Sequence, residues 1–419
     1  MLTKENNDLI TRVGPGTPMG EALRRYWMPA MLESEIPEPD SPPVRVRLLG
    51  EDLVGFRDTA GNIGLVAENC PHRGASLFFG RNEEEGLRCV YHGWKFNAAG
   101  TCVDMPNEPP ESNFKHKVKI AAYPTIVRAG IVYTYMGPVE KQPPPPNLEW
   151  MRAPEGWCRV SKVYQDCNYV QALEGGLDTS HSSFLHRRLS NKGLANPRAR
   201  STYPRIEVLT TDYGYMYTSV RHLPAEHQNY VRLYQYVMPF YQIRASDYEQ
   251  EGNRAMNGHI WVPRDDNTSY VYNYKCNKDQ PLSYEDWQDH EHQSGRGVQD
   301  FVPGTFNLKA NRSNDWFLDR EVEKKELFVG IRGVNTQDMA LQETMGHIFD
   351  RTKERLGTAD TAIIFMRRLL MQATRDVADG KDPIGSQGQG HNVRPAEMLL
   401  PDDVPWFETQ LKQETVAVF

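Results

Sequence analysis

The chain has no run of about 18 apolar residues, the length a helix needs to span a bilayer. It also lacks surplus positive charge. Against 55 Asp and Glu stand 48 Lys and Arg, a net charge of −7, so it has no basic excess for neutralising nucleic-acid phosphates. Cysteine is scarce, with six in 419 residues, and no internal repeat is evident. The opening stretch MLTKENNDLI is polar and mixed in charge, unlike a secretory leader. These features predict a cytoplasmic protein with no membrane or nucleic-acid partner. In a reducing compartment a disulfide framework is not expected, so clustered Cys and His read first as metal ligands. The remaining composition, 39% hydrophobic and 25% charged, is that of an ordinary globular protein long enough for two domains.

The pattern along the chain changes twice. GTPMGEALRRYW predicts a first helix, with Thr17 as cap, Pro18 in the first turn and Pro29 as its stop. From 44 to about 135 the segments are short and glycine-punctuated, and they read as strands, with a hairpin around Gly50–Asp52. Pro143–Pro146 form a stiff connector, which sets a boundary between residues 1–146 and 147–419. Beyond it, a helical stretch over 166–186 precedes Tyr- and Val-rich strands such as YGYMYTSVRHL, YVRLYQYVMPFYQIRAS and TSYVYNYKC. Helix returns from about 336 to 378. The fold expected is α+β: a small antiparallel β domain followed by a larger domain of strands and helices.

Two Cys/His pairs stand out. Cys70 and His72 lie in CPHRG, and Cys89 and His92 in CVYHGWKF. Two thiolates and two imidazoles suit either a tetrahedral zinc ion or a Rieske [2Fe-2S] cluster, with cysteines on one iron and histidines on the other. Each loop supplies one ligand of each kind, so each can reach both irons of a cluster. Gly74 and Gly93 allow tight turns there. Cys102, Cys158, Cys167 and Cys276 show no partner spacing and read as small buried hydrophobes.

A second group lies in NYVQALEGGLDTSHSSFLH. Asn168, Gln171, Glu174, Asp178 and His181 recur on one helical face, which alone reads as the polar stripe of a surface helix. His181 and His186 are five residues apart, so they converge only if the helix bends or ends between them. Two histidines and a carboxylate form the facial triad of non-haem Fe(II) oxygenases. The family resemblance described below implies a third ligand far downstream, for which Asp360 and Asp338 are the candidates. Asp360 sits where a helix-start residue belongs. Asp338 begins a face continued by Leu341, Met345 and Ile348, expected to point inward, where a carboxylate needs a partner. Asp338 is therefore the choice.

CPHRGASL…CVYHGWKF resembles the Rieske domain of ring-hydroxylating oxygenases. E-x-x-x-D-x-x-H-x-x-x-x-H, from Glu174 to His186, resembles their mononuclear-iron motif, and the likeness to the phthalate dioxygenase branch runs along nearly the whole chain. The resemblance implies a second domain built on a curved antiparallel sheet flanked by helices. It implies that Cys70, His72, Cys89 and His92 hold the cluster and that His181, His186 and Asp338 hold Fe(II). Asp178 becomes the carboxylate that bridges an iron-ligand histidine to a cluster histidine of a neighbouring chain. Implied partners are O2, an NADH-dependent reductase carrying FMN and a [2Fe-2S] centre, further copies of the chain in a trimer-based homo-oligomer, and an aromatic carboxylate substrate converted to a cis-dihydrodiol. An aromatic acid needs a cationic anchor, for which Arg244 is the first choice and Arg205 the second; Arg221 lies in the same sheet region. A monooxygenase or O-demethylase with the same ligands is the alternative. A bare electron carrier is a third reading, but it has no need of the second domain.

Overall fold

The computed structural model describes residues 1–246, 255–408 and 415–419. Its first part contains three small antiparallel sheets. Strands β1 (Trp27–Leu32), β9 (Thr125–Arg128) and β10 (Ile131–Tyr135) form one. β2 (Val44–Leu48), β3 (Glu51–Arg57) and β4 (Ile63–Ala67) form the second. β5 (Arg81–Glu83), β6 (Gly86–Arg88), β7 (Lys95–Phe96) and β8 (Cys102–Asp104) form the third. Val54, Phe56, Leu77, Leu87, Trp94 and Phe96 make a separate small core under the last two sheets, and Cys70 and Cys89 belong to it.

The second part is organised by one antiparallel sheet in the order β11 (Cys158–Gln165), β17 (Ser269–Asn277), β16 (Ala255–Pro263), β15 (Tyr241–Ser246), β14 (Gln228–Val237), β13 (Gly214–Leu223) and β12 (Arg205–Thr210). On one side β14 pairs with β13 along its length. On the other, its second half meets β15 and its first half meets β18 (Ala396–Pro401). Because one strand serves two neighbours along the same edge, the sheet must turn there. Helices Tyr169–Leu177, Val334–Thr344 and Thr361–Ala378 accompany it.

Several expectations from the sequence are corrected. The helix capped by Thr17 ends at Leu23, and Pro29 lies inside β1, where the pairing with β10 shifts register. A strand tolerates this proline because β1 is the edge of its sheet, where an N–H on the outer side has no ladder partner to lose. Another helix, Lys4–Thr11, precedes it. Ile10, Val13, Met19 and Leu23 join the same core as Val170, Ile363 and Leu370, so the first residues pack on the second part of the chain. The stretch 230–246 is a hairpin of β14 and β15, and the helical stretch 336–378 is broken between Thr344 and Thr361. Finally, Cys158 and Cys276 face each other on β11 and β17 and are joined by a disulfide, whereas Cys102 and Cys167 are buried free thiols. A sequence separation of 118 residues hides a cross-strand partner that only the sheet register reveals.

The polar stripe of the helix Tyr169–Leu177 faces inward. Glu174 accepts from Arg351 at 2.8 and 2.9 Å and from Arg367 at 2.7 Å, with both guanidinium groups buried. Arg351 also reaches Asn7 at 2.9 Å, so the network ties the N-terminal helix to the helix that leads into the site. Breaking a buried pair leaves a charge without compensation. Arg351→Met is therefore expected to cost about 3–5 kcal/mol, read as a lower denaturant midpoint. An unchanged midpoint contradicts the role given to this network.

Candidate functional site

The two Cys/His loops are built by the same device. The carbonyl of Cys70 accepts from the N–H of Gly74 at 2.8 Å, and that of Cys89 from Gly93 at 2.9 Å. Both glycines have positive φ, +77° and +82°, which residues with a Cβ rarely adopt. Each turn presents its thiol to the small core and leaves its imidazole nearer the surface. The His72 and His92 rings lie 4.3 Å apart, and His72 stacks on Trp94 at 4.4 Å. Burial, with Cys89 adding to it, pushes the Cys70 thiol up to about 11. His72 Nδ1 is buried without a hydrogen-bond partner among the described residues. Two buried thiols beside two imidazoles, one carrying an orphaned nitrogen, form a donor set that fits a cationic iron–sulfur group bound by both loops.

The second group is assembled where a helix stops. Asn168 caps the start of helix Tyr169–Leu177 by accepting from the Val170 N–H at 3.0 Å. At its end, a Cβ on Gly175 would lie 2.0 Å from Gln342, and one on Gly176 2.1 Å from Trp261, so only glycines let the helix sit this close to its neighbours. The chain leaves the helix at Asp178 and makes a short turn, His181–Ser183. The bend that the histidine spacing requires thus comes before both histidines. Fully buried Arg221 pins this turn, donating to Thr179 O at 2.6 Å and to Ser201 O at 3.1 Å.

His181 Nε2 and His186 Nε2 are 3.1 Å apart, and Asp338 Oδ1 lies 3.5 and 3.1 Å from them. Ligand atoms of the three residues fall within 4.8 Å of one another. The far side of each ring is occupied. His181 Nδ1 faces Asp178 at 3.2 Å, and His186 Nδ1 faces Gln337 Oε1 at 2.7 Å. Gln337 Nε2 donates to Ile331 O at 2.7 Å, which fixes its oxygen toward His186. Burial opposes the ionised form of Asp178, but hydrogen bonds from His181 and Ser180 outweigh it and hold the carboxyl down at about 2. Both rings therefore carry their proton on Nδ1. Two Nε2 lone pairs and a carboxylate oxygen then converge, an arrangement that repels itself unless a cation lies between. The residues fit a divalent metal of the two-histidine, one-carboxylate type.

Asp338 occupies the predicted place for a different reason from the one the sequence suggested. Leu341 and Met345 are 42% and 48% exposed. The inward face of helix Val334–Thr344 carries Gln337, Met339, Gln342 and Glu343, and Asp338 looks into a cavity at its edge. Asp360 marks a helix start, accepting from the Gly357 N–H at 2.6 Å.

That cavity measures about 620 Å³, and His181, His186, Asp338 and Arg244 line it together. Arg244 Nε donates to Asn257 at 2.5 Å, and its Nη groups have no partner among the described residues. Burial lowers its pKa to about 10. Arg205 lies elsewhere. It begins the edge strand β12, is 69% exposed, pairs with Glu207 at 2.8 Å and lines a separate groove, so it is not brought to the site. Gln337 was missed because a single glutamine carries no motif; its position next to Asp338 is the one available signal.

Replacing a group that orients a metal-bound histidine typically weakens binding about 10–100-fold. Gln337→Leu is expected to lose divalent-metal affinity in that range in an Fe(II) competition titration. Unchanged affinity contradicts the assignment of Gln337.

Comparison with known proteins follows the same division. The family model for the Rieske [2Fe-2S] domain matches residues 26–124, and that described as LigXa C-terminal domain like matches residues 134–418. The chain is 37% identical to the phthalate 4,5-dioxygenase oxygenase subunit of Pseudomonas putida, over 98% of this chain and 95% of the relative. It is also 37% identical to the 3-chlorobenzoate-3,4-dioxygenase oxygenase subunit of Comamonas testosteroni, over 98% of both. Identity to the 5,5'-dehydrodivanillate O-demethylase oxygenase subunit of Sphingobium sp. is 33%, over 91% of this chain and 83% of the relative. Among solved structures, dicamba monooxygenase bound to dicamba superposes with a TM-score of 0.59 at 15% identity, covering 85% of this chain and 98% of that one, which speaks to the fold alone.

Proposed function

The chain belongs to the Rieske oxygenase family, and from that premise we propose that it is the oxygenase component that hydroxylates an aromatic carboxylate with O2 to a cis-dihydrodiol. One observation carries this reading: the ligand triad and the unpaired guanidinium end of Arg244 open into the same cavity.

In this reading Cys70 and Cys89 hold one iron of the cluster and His72 and His92 the other, while His181, His186 and Asp338 hold a mononuclear Fe(II). When bound, the cluster supplies electrons singly and the mononuclear iron supplies O2 activation. The protein's own contribution is positioning. Asp178 and Gln337 each engage the Nδ1 side of a ring, which fixes the ring orientation and aims both Nε2 atoms inward, as metal ligation demands. Arg221 holds the turn that carries Asp178 and His181. Arg244 binds the substrate carboxylate through its free N–H groups, whose fork matches two carboxylate oxygens.

The reductase is proposed to draw on NADH through FMN and a plant-type [2Fe-2S] centre, and the oxygenase to assemble as a homo-oligomer built on trimers. Val90 and Tyr91, in the second cluster loop, are exposed, which supports contact between this loop and another chain. Asp178 is proposed to bridge the iron centre of one chain to a cluster histidine of the next.

A monooxygenase or O-demethylase reading has support from the O-demethylase relative. A single-turnover assay separates the two: reduced protein receives O2 and a panel of phthalates and substituted benzoates, and products are weighed. A product heavier by two oxygens and two hydrogens is expected. A phenol or a lost methyl group moves the protein to the monooxygenase reading. No product from any aromatic acid contradicts both. His181→Ala is expected to keep the Rieske absorption spectrum and lose product formation; full activity in this variant contradicts the ligand assignment.

A further inference from the structure

The reading above leaves unused one hydrogen-bond acceptor on the cavity wall, His259, and a buried one beside it in the sheet, Gln242. His259 on β16 stands opposite Gln242 on β15 and opposite Asn273 on β17. Asn273 Nδ2 donates to Ser161 Oγ at 3.2 Å and to Val271 O at 3.3 Å. Its Oδ1 is thereby left to accept from His259 Nδ1, at 2.7 Å. The ring proton is on Nδ1. Burial, reinforced by Arg244, Arg296 and the facing His290, holds the pKa of His259 well below its ordinary value, so the ring is neutral. His259 Nε2 is therefore a bare lone pair. The side chain is only 4% exposed and lines the cavity, and Nε2 has no partner among the described residues.

Gln242 repeats the pattern. Its Nε2 donates to Gly176 O at 2.6 Å and to Tyr217 Oη at 2.5 Å, which fixes the amide orientation. Its Oε1 is buried and receives no hydrogen bond among the described residues. The nearby cations do not fill the gap. Arg296 is committed to Glu291 at 2.9 Å and to Asn335, while Arg244 gives its Nε to Asn257 and, in the reading above, its remaining N–H groups to the substrate carboxylate. Unsatisfied buried acceptors are costly, and a carboxylate placed against them adds repulsion. What satisfies them is a group that brings its own proton.

We propose that His259 accepts a hydrogen bond from a ring hydroxyl, so that the preferred substrate is an aromatic carboxylate that also carries a free phenolic hydroxyl. The inference rests on the aromatic-acid reading, in which Arg244 takes the carboxylate. His259 then determines specificity between ring substituents. A site built to bond a hydroxyl discriminates strongly against an analogue without it, because the buried acceptor is left unpaired.

The test is equilibrium binding by calorimetry to the anaerobic holoprotein, using benzoate, the hydroxybenzoate isomers and their methyl ethers. At least one hydroxybenzoate is expected to bind roughly tenfold or more tightly than both benzoate and its own methyl ether. In His259→Leu, checked for folding by its Rieske spectrum, that ratio is expected to fall toward unity. Equal affinities in the unmodified protein overturn the proposal without reference to any variant, and mean that the acceptors are met by water. If the benzoates bind through Arg244, as shown by loss of binding in Arg244→Gln, but the hydroxyl adds nothing, this inference alone fails. If no benzoate binds, the aromatic-acid reading fails and takes this inference with it.

Discussion

The geometry around the site depends on keeping two imidazole lone pairs pointed at each other. Left alone, His181 and His186 would move apart or share a proton. Instead each ring is held from behind, one by an ionised aspartate and the other by an amide whose orientation is fixed by a backbone carbonyl. The third ligand atom, a carboxylate oxygen of Asp338, comes from a separate helix, so this electrostatic arrangement needs two helices locked in register. Gln171 supplies that lock: it donates to Gln342 O and Gly346 O and accepts from the Phe349 N–H. Glu174, one turn further, anchors the same helix to two buried arginines. Stored repulsion of this kind is resolved when a cation binds, which couples metal affinity to the integrity of the scaffold.

The same logic of fixed protons extends into the cavity. His259 and the two metal-site histidines all have Nδ1 engaged and Nε2 directed inward, but their neighbours differ. Around His181 and His186 a carboxylate completes a cation site. Around His259, burial keeps the ring neutral and nearby arginines reinforce it. One cavity thus brings together His181, His186 and Asp338, the Arg244 guanidinium and the neutral His259 ring.

The parts of this arrangement legible in the sequence are those in which the chemistry is contiguous. CPHRG and CVYHG carry ligand and turn-forming glycine within five residues, and the structure reproduces both turns. The motif from Glu174 to His186 was legible as ligand chemistry but not as shape, because its polar stripe reads like a surface face and in fact meets partners distant in sequence, such as Arg351 for Glu174 and Gln342 for Gln171. Asp338 was reached through an inward face that turned out to be exposed; the resemblance located it better than the periodicity did. Arg205 and Arg244 looked alike as basic strand residues, and only the sheet order separates an edge position from the cavity floor. His259 and the Cys158–Cys276 pair left no local signal, and Gln337 only its place beside Asp338. Their roles come from register and tertiary contact.

The most direct test of the central claim is the iron content of purified, reconstituted protein. The account predicts about three iron atoms per chain, two in the cluster and one outside it. It predicts that Asp338→Ala falls to about two while the Rieske spectrum is unchanged. An Asp338→Ala protein that keeps its third iron, or an unmodified protein that never binds one, contradicts the account.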